Sequence, residues 1–377
     1  MNSPVLTIIS FVLIFTVVVV SHEFGHFIIA RINGIQVNEF SVGMGPAIFR
    51  KKGKSTEFVI RLLPFGGACI FEGETGNYSD VMGEELNKDH ERSTEERREE
   101  KRQKEERRGM AFNEAPVWGR IASVVAGPLF NIILAYVLAL FIVWFCGADL
   151  PVLVDVMEGY PAEAAGLKAG DIITEINHHK VHLYREVMIY SYVNVGDEME
   201  IVYERDGEKF ETILTPQYSA EAGRYYIGIV GGSEYIECDN LKVFPYSWYE
   251  VRYWFVSTIQ SLKYMISGHA SADDIAGPVG VANIIDDTIE ETSSYGAFTV
   301  VLNMVNIAVL LSVNLGVVNM LPIPALDGGR LLFLLFEAIS GRRVPEEKEG
   351  LIHFIGFALL MVLMVFVMFN DIKRFFV

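Results

Sequence analysis

Two histidines and a glutamate lie close together near the start of the chain, in the stretch SHEFGH at residues 21–26. Residues four apart share one face of an α-helix, so His22 and His26 can direct two imidazoles at one ion, with Glu23 beside them. This spacing is typical of sites that bind Zn²⁺ through both histidines and use the glutamate to move protons. A pattern of five residues also occurs by chance in unrelated proteins, so the sequence around it is needed to judge whether it is functional.

The motif is embedded in a run of apolar residues. Residues 5–20 are almost all apolar and the run resumes at 27–30, which is long enough to span a hydrocarbon core about 30 Å thick. Ionisable groups within a span cost roughly 2.5–3.5 kcal/mol each on insertion scales and are usually functional. The location therefore favours a functional site over the alternative that these side chains reach the interface or pair with polar neighbours.

A third ligand for the ion is expected from another part of the chain. The stretch NLGVVNMLPIPALDGGR at residues 314–330 contains Pro322 and Pro324, which remove backbone donors and end a helix. Asp327 follows, next to two glycines that let the backbone approach closely. Broken backbone at membrane depth is tolerated only where protein or a water-filled cavity surrounds it. The stretch predicts a carboxylate at such a site, and the alternative is an ordinary loop after a helix.

Four apolar segments are long enough to cross a membrane, at residues 1–30, 117–146, 297–327 and 350–370. The chain is 51% hydrophobic, which is high for a protein that is only soluble. A cleaved signal peptide is the alternative for the first segment, but that segment starts without Lys or Arg and lacks a small-residue cleavage site. The sequence therefore predicts a multi-pass α-helical membrane protein with four transmembrane helices.

Lys and Arg residues are distributed unevenly between the connecting segments. Residues 31–120 hold sixteen of them, whereas the segment of similar length at 147–247 holds seven. By the positive-inside rule, the first segment is cytoplasmic and the second is extracytoplasmic. The loop at 328–350 falls on the cytoplasmic side as the rule requires, whereas Lys373 and Arg374 fall outside.

Charge and cysteine content argue against two further kinds of site. The net charge of −17 argues against nucleic-acid binding, which needs a basic surface. Cys69, Cys146 and Cys238 are isolated in the sequence, so they indicate neither a disulfide framework nor a Cys-x-x-Cys metal site.

In combination, the motifs resemble those of the site-2 protease family of intramembrane zinc metalloproteases. His-Glu-Phe-Gly-His at 22–26 is similar to the metal motif in the family's first span. Asn-x-x-Pro-x-x-x-x-Asp-Gly at 319–328 is similar to the motif in its third span. The resemblance covers nearly the whole chain.

The resemblance implies a role for each side chain in these motifs. The implied zinc ligands are His22, His26 and Asp327. Glu23 is implied as the general base and acid, and Asn319 as a residue that holds the substrate strand near the metal.

The segment 31–83 resembles the family's cytoplasmic, membrane-associated β region. FSVGMGP at 40–46 is similar to its Gly-x-Gly motif, and LLPFGGACIFEGE at 62–74 is similar to its β-hairpin. Such a hairpin offers an edge to which an unwound substrate helix can add as a strand. The alternative is a surface hairpin without a role in substrate binding. Further residues expected at the substrate are Gly66, Gly67 and Pro322.

The stretch YPAEAAGLKAGDIITEINHHKV at 160–181 closely resembles the bacterial PDZ domains of envelope proteases. We place one such extracytoplasmic PDZ domain at 150–217. PDZ domains commonly capture extended peptides by strand addition, but in this family the domain can instead filter out substrates whose outer part is untrimmed. His178, His179 and His182 have no carboxylate in register, so they predict surface residues rather than a second metal site.

Two polar segments complete the predicted organisation. The charged cytoplasmic segment 84–116 holds ten acidic and nine basic residues within 84–108. It predicts a solvated helix or a disordered segment, with docking to a cytoplasmic partner as the functional alternative. Residues 245–268 place aromatic side chains among charges and predict an interfacial amphipathic helix.

These features predict an intramembrane zinc metalloendopeptidase of the bacterial plasma membrane. The resemblance implies single-span membrane protein substrates, such as anti-sigma factors or remnant signal peptides, and an upstream protease of the site-1 type that cuts first. One alternative is a membrane zinc protease of the prenylated-tail type, which does not account for the PDZ domain or the motif at 319–328. The other is a non-catalytic PDZ membrane adaptor, in which a costly buried base has no reason to be retained.

Overall fold

A computed structural model describes residues 3–73, 109–194, 196–219, 224–232, 235–238, 241–268 and 276–376. The charged segment predicted at 84–108 lies outside these residues. The chain forms two compact units, one made of Met1–Leu134 with Ile275–Val377 and the other of Ala135–Asp274.

The helices follow the hydropathy of the sequence. In chain order they are α1 (Ser3–Ile32), α2 (Val117–Cys146), α3 (Pro161–Ala164), α4 (Tyr184–Val193), α5 (Val243–Ile266), α6 (Pro278–Ser293), α7 (Ala297–Asn319), α8 (Asp327–Ser340) and α9 (Glu346–Phe376). Within the described residues, α1, α2, α7 and α9 are long and apolar enough to cross a membrane. The predicted number of apolar helices is thereby confirmed.

The third predicted span, 297–327, differs from the observed helix. α7 ends at Asn319, and α8 begins only at Asp327. Pro322 and Pro324 lie between them and cannot continue the helical hydrogen bonds. Asp327 therefore belongs to the first turn of a separate helix rather than to the end of the span.

Glycines let α2 approach both α1 and α7 closely. A Cβ atom on Gly25 of α1 would lie 2.8 Å from the carbonyl carbon of Ala126 in α2. A Cβ atom on Gly316 of α7 would lie 3.1 Å from the carbonyl oxygen of Pro128. Such small-residue contacts are typical of helices that pack within membranes, where dispersion and hydrogen bonding drive association.

Strands occur in both units. The first unit contains β1 (Val37–Lys52) and β2 (Glu57–Phe71). The second contains β3 (Ala148–Asp149), β4 (Leu153–Val156), β5 (Ile172–Ile176), β6 (His179–Lys180), β7 (Met199–Arg205), β8 (Glu208–Leu214), β9 (Gln217–Ser219), β10 (Arg224–Tyr226), β11 (Ile229–Gly231) and β12 (Tyr235–Ile236).

The long strands β1 and β2 bend and pair with each other in more than one register. Residues 39–42 pair with both 57–60 and 67–70, and 57–60 also pair with 49–52. The segments are therefore ordered 49–52, 57–60, 39–42 and 67–70 across one small sheet. Because residues 67–70 pair with β1 alone among the described residues, they form an edge of that sheet.

In the second unit, the strands β6, β5, β7 and β8 form a four-stranded antiparallel sheet that shares its core with α4. The predicted domain ended at residue 217, but the fold continues beyond it. β11 pairs with β4, and Ile227 is buried in the same core as Leu153 and Val187. The later strands close the same apolar core, which explains why the domain cannot end at 217.

Ion pairs join α5 to α4 within the second unit. Arg185 of α4 bonds to Asp149 at 3.1 Å and also to Glu250 of α5. Arg252 of α5 donates to Glu186 of α4 at 2.7 Å. The three carboxylates are almost completely buried, so each needs its arginine partner to remain charged there.

Candidate active site

Three side chains that can bind a metal ion converge in the first unit. Nε2 of His22 and Nε2 of His26 lie 3.2 Å apart. Oδ2 of Asp327 lies 3.1 Å from the first and 3.3 Å from the second. The helical repeat of α1 supplies both imidazoles, and the first turn of α8 supplies the carboxylate. Side chains that are far apart in the sequence thus form one cluster.

The spacing of these three atoms fits a tetrahedral zinc site. Zinc bonds of about 2.0–2.1 Å place neighbouring tetrahedral ligands roughly 3.3–3.4 Å apart, close to the separations of 3.1–3.3 Å seen here. Asp327 Oδ2 is buried and has no hydrogen-bond partner among the described residues, as expected of an oxygen that binds an ion. Two imidazoles and one carboxylate are also a donor set of catalytic zinc sites, which keep a position open for water.

The helix α2 contacts the imidazole of His26. Nδ1 of this ring donates a hydrogen bond to the carbonyl oxygen of Ser123 at 2.8 Å, which leaves Nε2 as the ligand atom. One turn further along α2, a Cβ atom on Gly127 would lie 2.5 Å from Cε1 of His26 and 2.9 Å from Cε1 of His22. Only glycine at this position leaves room for both rings.

Two asparagines contact the imidazole of His22. The fully buried amide of Asn131 lies 3.4 Å from Nδ1, and Nδ2 of Asn319 lies 3.3 Å from Nε2. When Nε2 binds a metal, Nδ1 carries the proton and needs an acceptor, which the Asn131 amide oxygen can supply after a half-turn of the amide. The Ser312 hydroxyl of α7 donates a hydrogen bond to the backbone carbonyl oxygen of Asn131 at 2.8 Å, and this bond joins α7 to α2.

Sequence reasoning missed the residues of α2 that contact the histidines. Ser123, Gly127 and Asn131 recur at intervals of four residues in an otherwise apolar helix. They therefore share one face, and this face packs on the two histidines. The pattern of small and polar residues was the signal in the sequence that could have found them.

A cavity of about 490 Å³ lies beside the three ligand atoms. It is lined by Glu23, by Asn319 and by the strand edge that begins at Gly66 and Gly67. A Cβ atom on Gly67 would lie 2.8 Å from Cγ of Glu23, so glycine allows the strand to reach the glutamate. The cavity is therefore lined by the Glu23 carboxylate, by a strand edge and by His22, His26 and Asp327, called here the metal-type cluster.

The segment between α7 and α8 folds tightly over the start of α8. A Cβ atom on Gly328 would lie 2.5 Å from the carbonyl carbon of Met320, and one on Gly329 would lie 2.8 Å from that of Ile323. These glycines provide the close approach expected from the sequence. Pro322, predicted at the substrate, is instead exposed and does not line the cavity.

Membrane-length helices in a chain with a cluster of two histidines and one aspartate are typical of membrane metallopeptidases. Residues 10–363 match the family model described as Peptidase family M50. The chain belongs to this family, which is the site-2 protease family.

The chain is also similar to individual proteins, two of which are named as proteases. The chain is 34% identical over 425 residues to zinc metalloprotease RasP from Bacillus licheniformis, covering 98% of this chain and 99% of that protein. It is 32% identical over 425 residues to regulator of sigma-W protease RasP from Bacillus subtilis, with the same coverage. The crystal structure of a PDZ domain of an SdrC-like protein from Listeria innocua is 29% identical, covering 24% of this chain and 99% of that one, with a TM-score of 0.21.

The protein is therefore a zinc metalloprotease, and Zn²⁺ is its expected cofactor. Family membership favours this interpretation over both alternatives, the prenylated-tail type of protease and the non-catalytic adaptor. The four apolar helices and the family together indicate a membrane protein.

Proposed function

We propose that this protein hydrolyses a peptide bond within or near the transmembrane helix of single-span membrane proteins. In this proposal, His22, His26 and Asp327 bind Zn²⁺ and Glu23 is the catalytic base. The observation that carries the proposal is the convergence of two imidazole nitrogens and one carboxylate oxygen within 3.3 Å of one another, beside a cavity.

The residues around the cavity have different roles in hydrolysis. Bound zinc supplies Lewis acidity, which lowers the pKa of water and polarises a carbonyl group. Glu23 faces the same cavity and takes a proton from the attacking water, then passes it to the leaving amine. Ser123 and Asn131 hold the two imidazoles in the orientation that directs Nε2 at the metal.

Substrate binding requires the substrate helix to unwind, because helical hydrogen bonds cover its carbonyl groups. Among the described residues, the edge segment at 67–70 pairs with β1 on one side only, so an extended chain can add on its other side, and the segment lines the cavity. Gly67 lets this strand lie close to Glu23, and Gly66 lines the same cavity with a φ of +73°. The Asn319 amide also lines the cavity, where it can bind the added backbone. Pro322 lies just after the end of α7, and its contact with the substrate stays a prediction.

The distribution of charge supports an orientation in the bacterial plasma membrane. The segment 31–120, which is rich in Lys and Arg, lies in the cytoplasm and the predicted PDZ domain lies outside it. In this arrangement the PDZ domain excludes substrates that an upstream protease has not yet trimmed. A relative named regulator of sigma-W protease supports anti-sigma-factor-type substrates, with remnant signal peptides as a second class.

The proposal is tested by replacing Glu23 with Gln in the purified full-length protein and measuring both zinc content and cleavage of a single-span test substrate. We expect Glu23→Gln to retain zinc and to lose cleavage by at least about 100-fold, because a positioned base contributes that much. Asp327→Ala should instead lose zinc. Glu57→Gln, a carboxylate of β2 that does not line the cavity, is the control and should behave as wild type. Normal cleavage by Glu23→Gln would overturn the assigned base.

A further inference from the structure

The short segment before Asp327 has an unusual backbone conformation. Ala325 has a φ of +74°, in the left-handed region that a Cβ atom disfavours. A residue keeps such a conformation only where its surroundings enforce it. Since Asp327 follows two residues later, the backbone at Ala325 sets the direction in which the carboxylate approaches the two imidazoles.

The helix α9 supplies the contacts that hold this segment. The Ala325 N–H donates a hydrogen bond to Nδ1 of His353 at 2.9 Å. One turn further along α9, a Cβ atom on Gly356 would lie 2.7 Å from the carbonyl oxygen of Pro324. Nδ1 of His353 and the backbone at Gly356 thus contact Ala325 and Pro324, which are consecutive residues of the segment.

The imidazole of His353 has further neighbours on α8 and α9. Because Nδ1 accepts a hydrogen bond, the proton lies on Nε2, which faces Oε1 of Glu349 at 4.0 Å, one turn earlier on α9. The ring also packs against Phe333 of α8, with 5.6 Å between ring centroids. The acceptor therefore has a defined place relative to both α8 and α9.

We infer that His353 is a positioning residue for the third zinc ligand. By accepting the Ala325 N–H, it holds the left-handed backbone that places Asp327 Oδ2 3.1 Å and 3.3 Å from the two histidine nitrogens. Metal sites tolerate deviations of only about 0.2 Å in ligand distance, so a small shift of the segment weakens zinc binding. The inference rests on the proposed function in one respect, namely that Asp327 binds the metal.

The test compares zinc affinity among variants of the purified full-length protein, by competition with a chelator. His353→Leu removes the acceptor and should weaken zinc binding about 10- to 100-fold, the usual effect of losing a residue that orients a ligand. His353→Asn keeps an oxygen near the position of Nδ1 and should retain wild-type affinity. Phe354→Leu, on the exposed side of the same turn, is the matched control and should have no effect.

Two further measurements separate positioning from general stability. Cobalt substituted for zinc reports ligand geometry in its visible absorption, which should change in His353→Leu and not in His353→Asn. Ala325→Gly, added to His353→Leu, should recover part of the lost affinity, because glycine adopts positive φ without a partner. A merely structural role would lower the melting temperature without changing the cobalt spectrum or responding to Ala325→Gly.

The outcomes distinguish this inference from the function on which it rests. Wild-type affinity in His353→Leu, or equal losses in His353→Leu and His353→Asn, would overturn the role of His353 alone. Wild-type affinity in Asp327→Ala would instead remove Asp327 from the ligand set, and the inference would fall with it. Loss of zinc in Asp327→Ala, together with weaker zinc binding in His353→Leu and wild-type binding in His353→Asn, supports both the role of His353 and the proposed function.

Discussion

At the scale of single residues, an absent side chain matters as much as those that carry the chemistry. The two candidate imidazole ligands lie against Gly127 of α2, where no Cβ atom fits. The carbonyl oxygen of Ser123 and the amide of Asn131 contact the far nitrogens of the same rings. One face of α2 therefore sets both the tautomer and the position of each histidine.

This packing makes Gly127→Ala a sharp test of the site. The added methyl group must displace the ring of His26 or of His22, so zinc affinity should fall about 10- to 100-fold, as when a residue that orients a ligand is lost. Equilibrium binding in the presence of a competing chelator measures the change. Gly350→Ala in α9, where a Cβ atom meets nothing within 4 Å, is the control and should bind zinc normally. Unchanged affinity in Gly127→Ala would mean that the rings are not confined as described.

The residues that could be predicted from sequence are those with local spacing. His22 and His26 are one helical turn apart, so their common face follows from the helical repeat alone. The four-residue spacing of Ser123, Gly127 and Asn131 indicates a common face of α2, but the histidines that this face meets could not be predicted, because that contact depends on the packing of the whole unit. The same limit applies to His353, whose partner Ala325 lies in another segment.

At the scale of elements, hydropathy predicts the helices well and the sheet poorly. The four apolar segments became four helices, because long apolar runs in a membrane must satisfy their backbone internally. The bends of β1 and β2, by which residues 39–42 gain two partners, depend on non-local pairing that no local pattern encodes. For the same reason, the strands after residue 217 were not assigned to the domain whose core they complete.

The junction of α4 and α5 should make the second unit sensitive to pH. Burial raises the pKa of Glu250 to about 7 from a usual value of 4.5, with Arg185 opposing the shift and Asp149 adding to it. A carboxyl group with a raised folded-state pKa stabilises the fold at low pH, and this contribution is lost as the pH rises through the folded pKa. The unit should therefore lose stability between about pH 4.5 and about pH 7.

Hydrogen exchange of α4 in the full-length protein measures this effect once it is corrected for the intrinsic pH dependence of exchange. Glu250→Gln removes the titrating group and should flatten the profile between about pH 4.5 and about pH 7. Glu208→Gln, at an exposed position on β8, is the control and should leave the slope unchanged. An unchanged slope in Glu250→Gln would assign the pH dependence to another group, such as the buried Glu186.

At the scale of the whole molecule, the metal-type cluster and the predicted PDZ domain belong to different compact units. The ligand atoms, the cavity and the strand edge all lie in the first unit. The residues that we propose for hydrolysis therefore all belong to the first unit. The proposed size filter likewise assigns no part of the chemistry to the predicted PDZ domain, because a filter changes which substrates reach the site without changing the chemistry.

Removal of the predicted PDZ domain tests that role directly. Asp149 pairs with Tyr235, so a short Gly and Ser turn can join these positions in place of residues 150–234. Asp149→Asn and Glu250→Gln accompany the deletion, because both carboxylates lose Arg185. If the domain is a filter, the shortened protein should cleave a test substrate with a short outer segment at a rate near that of the full-length protein. It should also gain cleavage of a substrate with a folded outer domain, which the full-length protein rejects. Both rates are measured in liposomes, with zinc content determined in parallel and Glu23→Gln in the shortened protein as the inactive control. Loss of all cleavage with zinc retained would instead mean that the domain must bind the substrate before the bond can be cut.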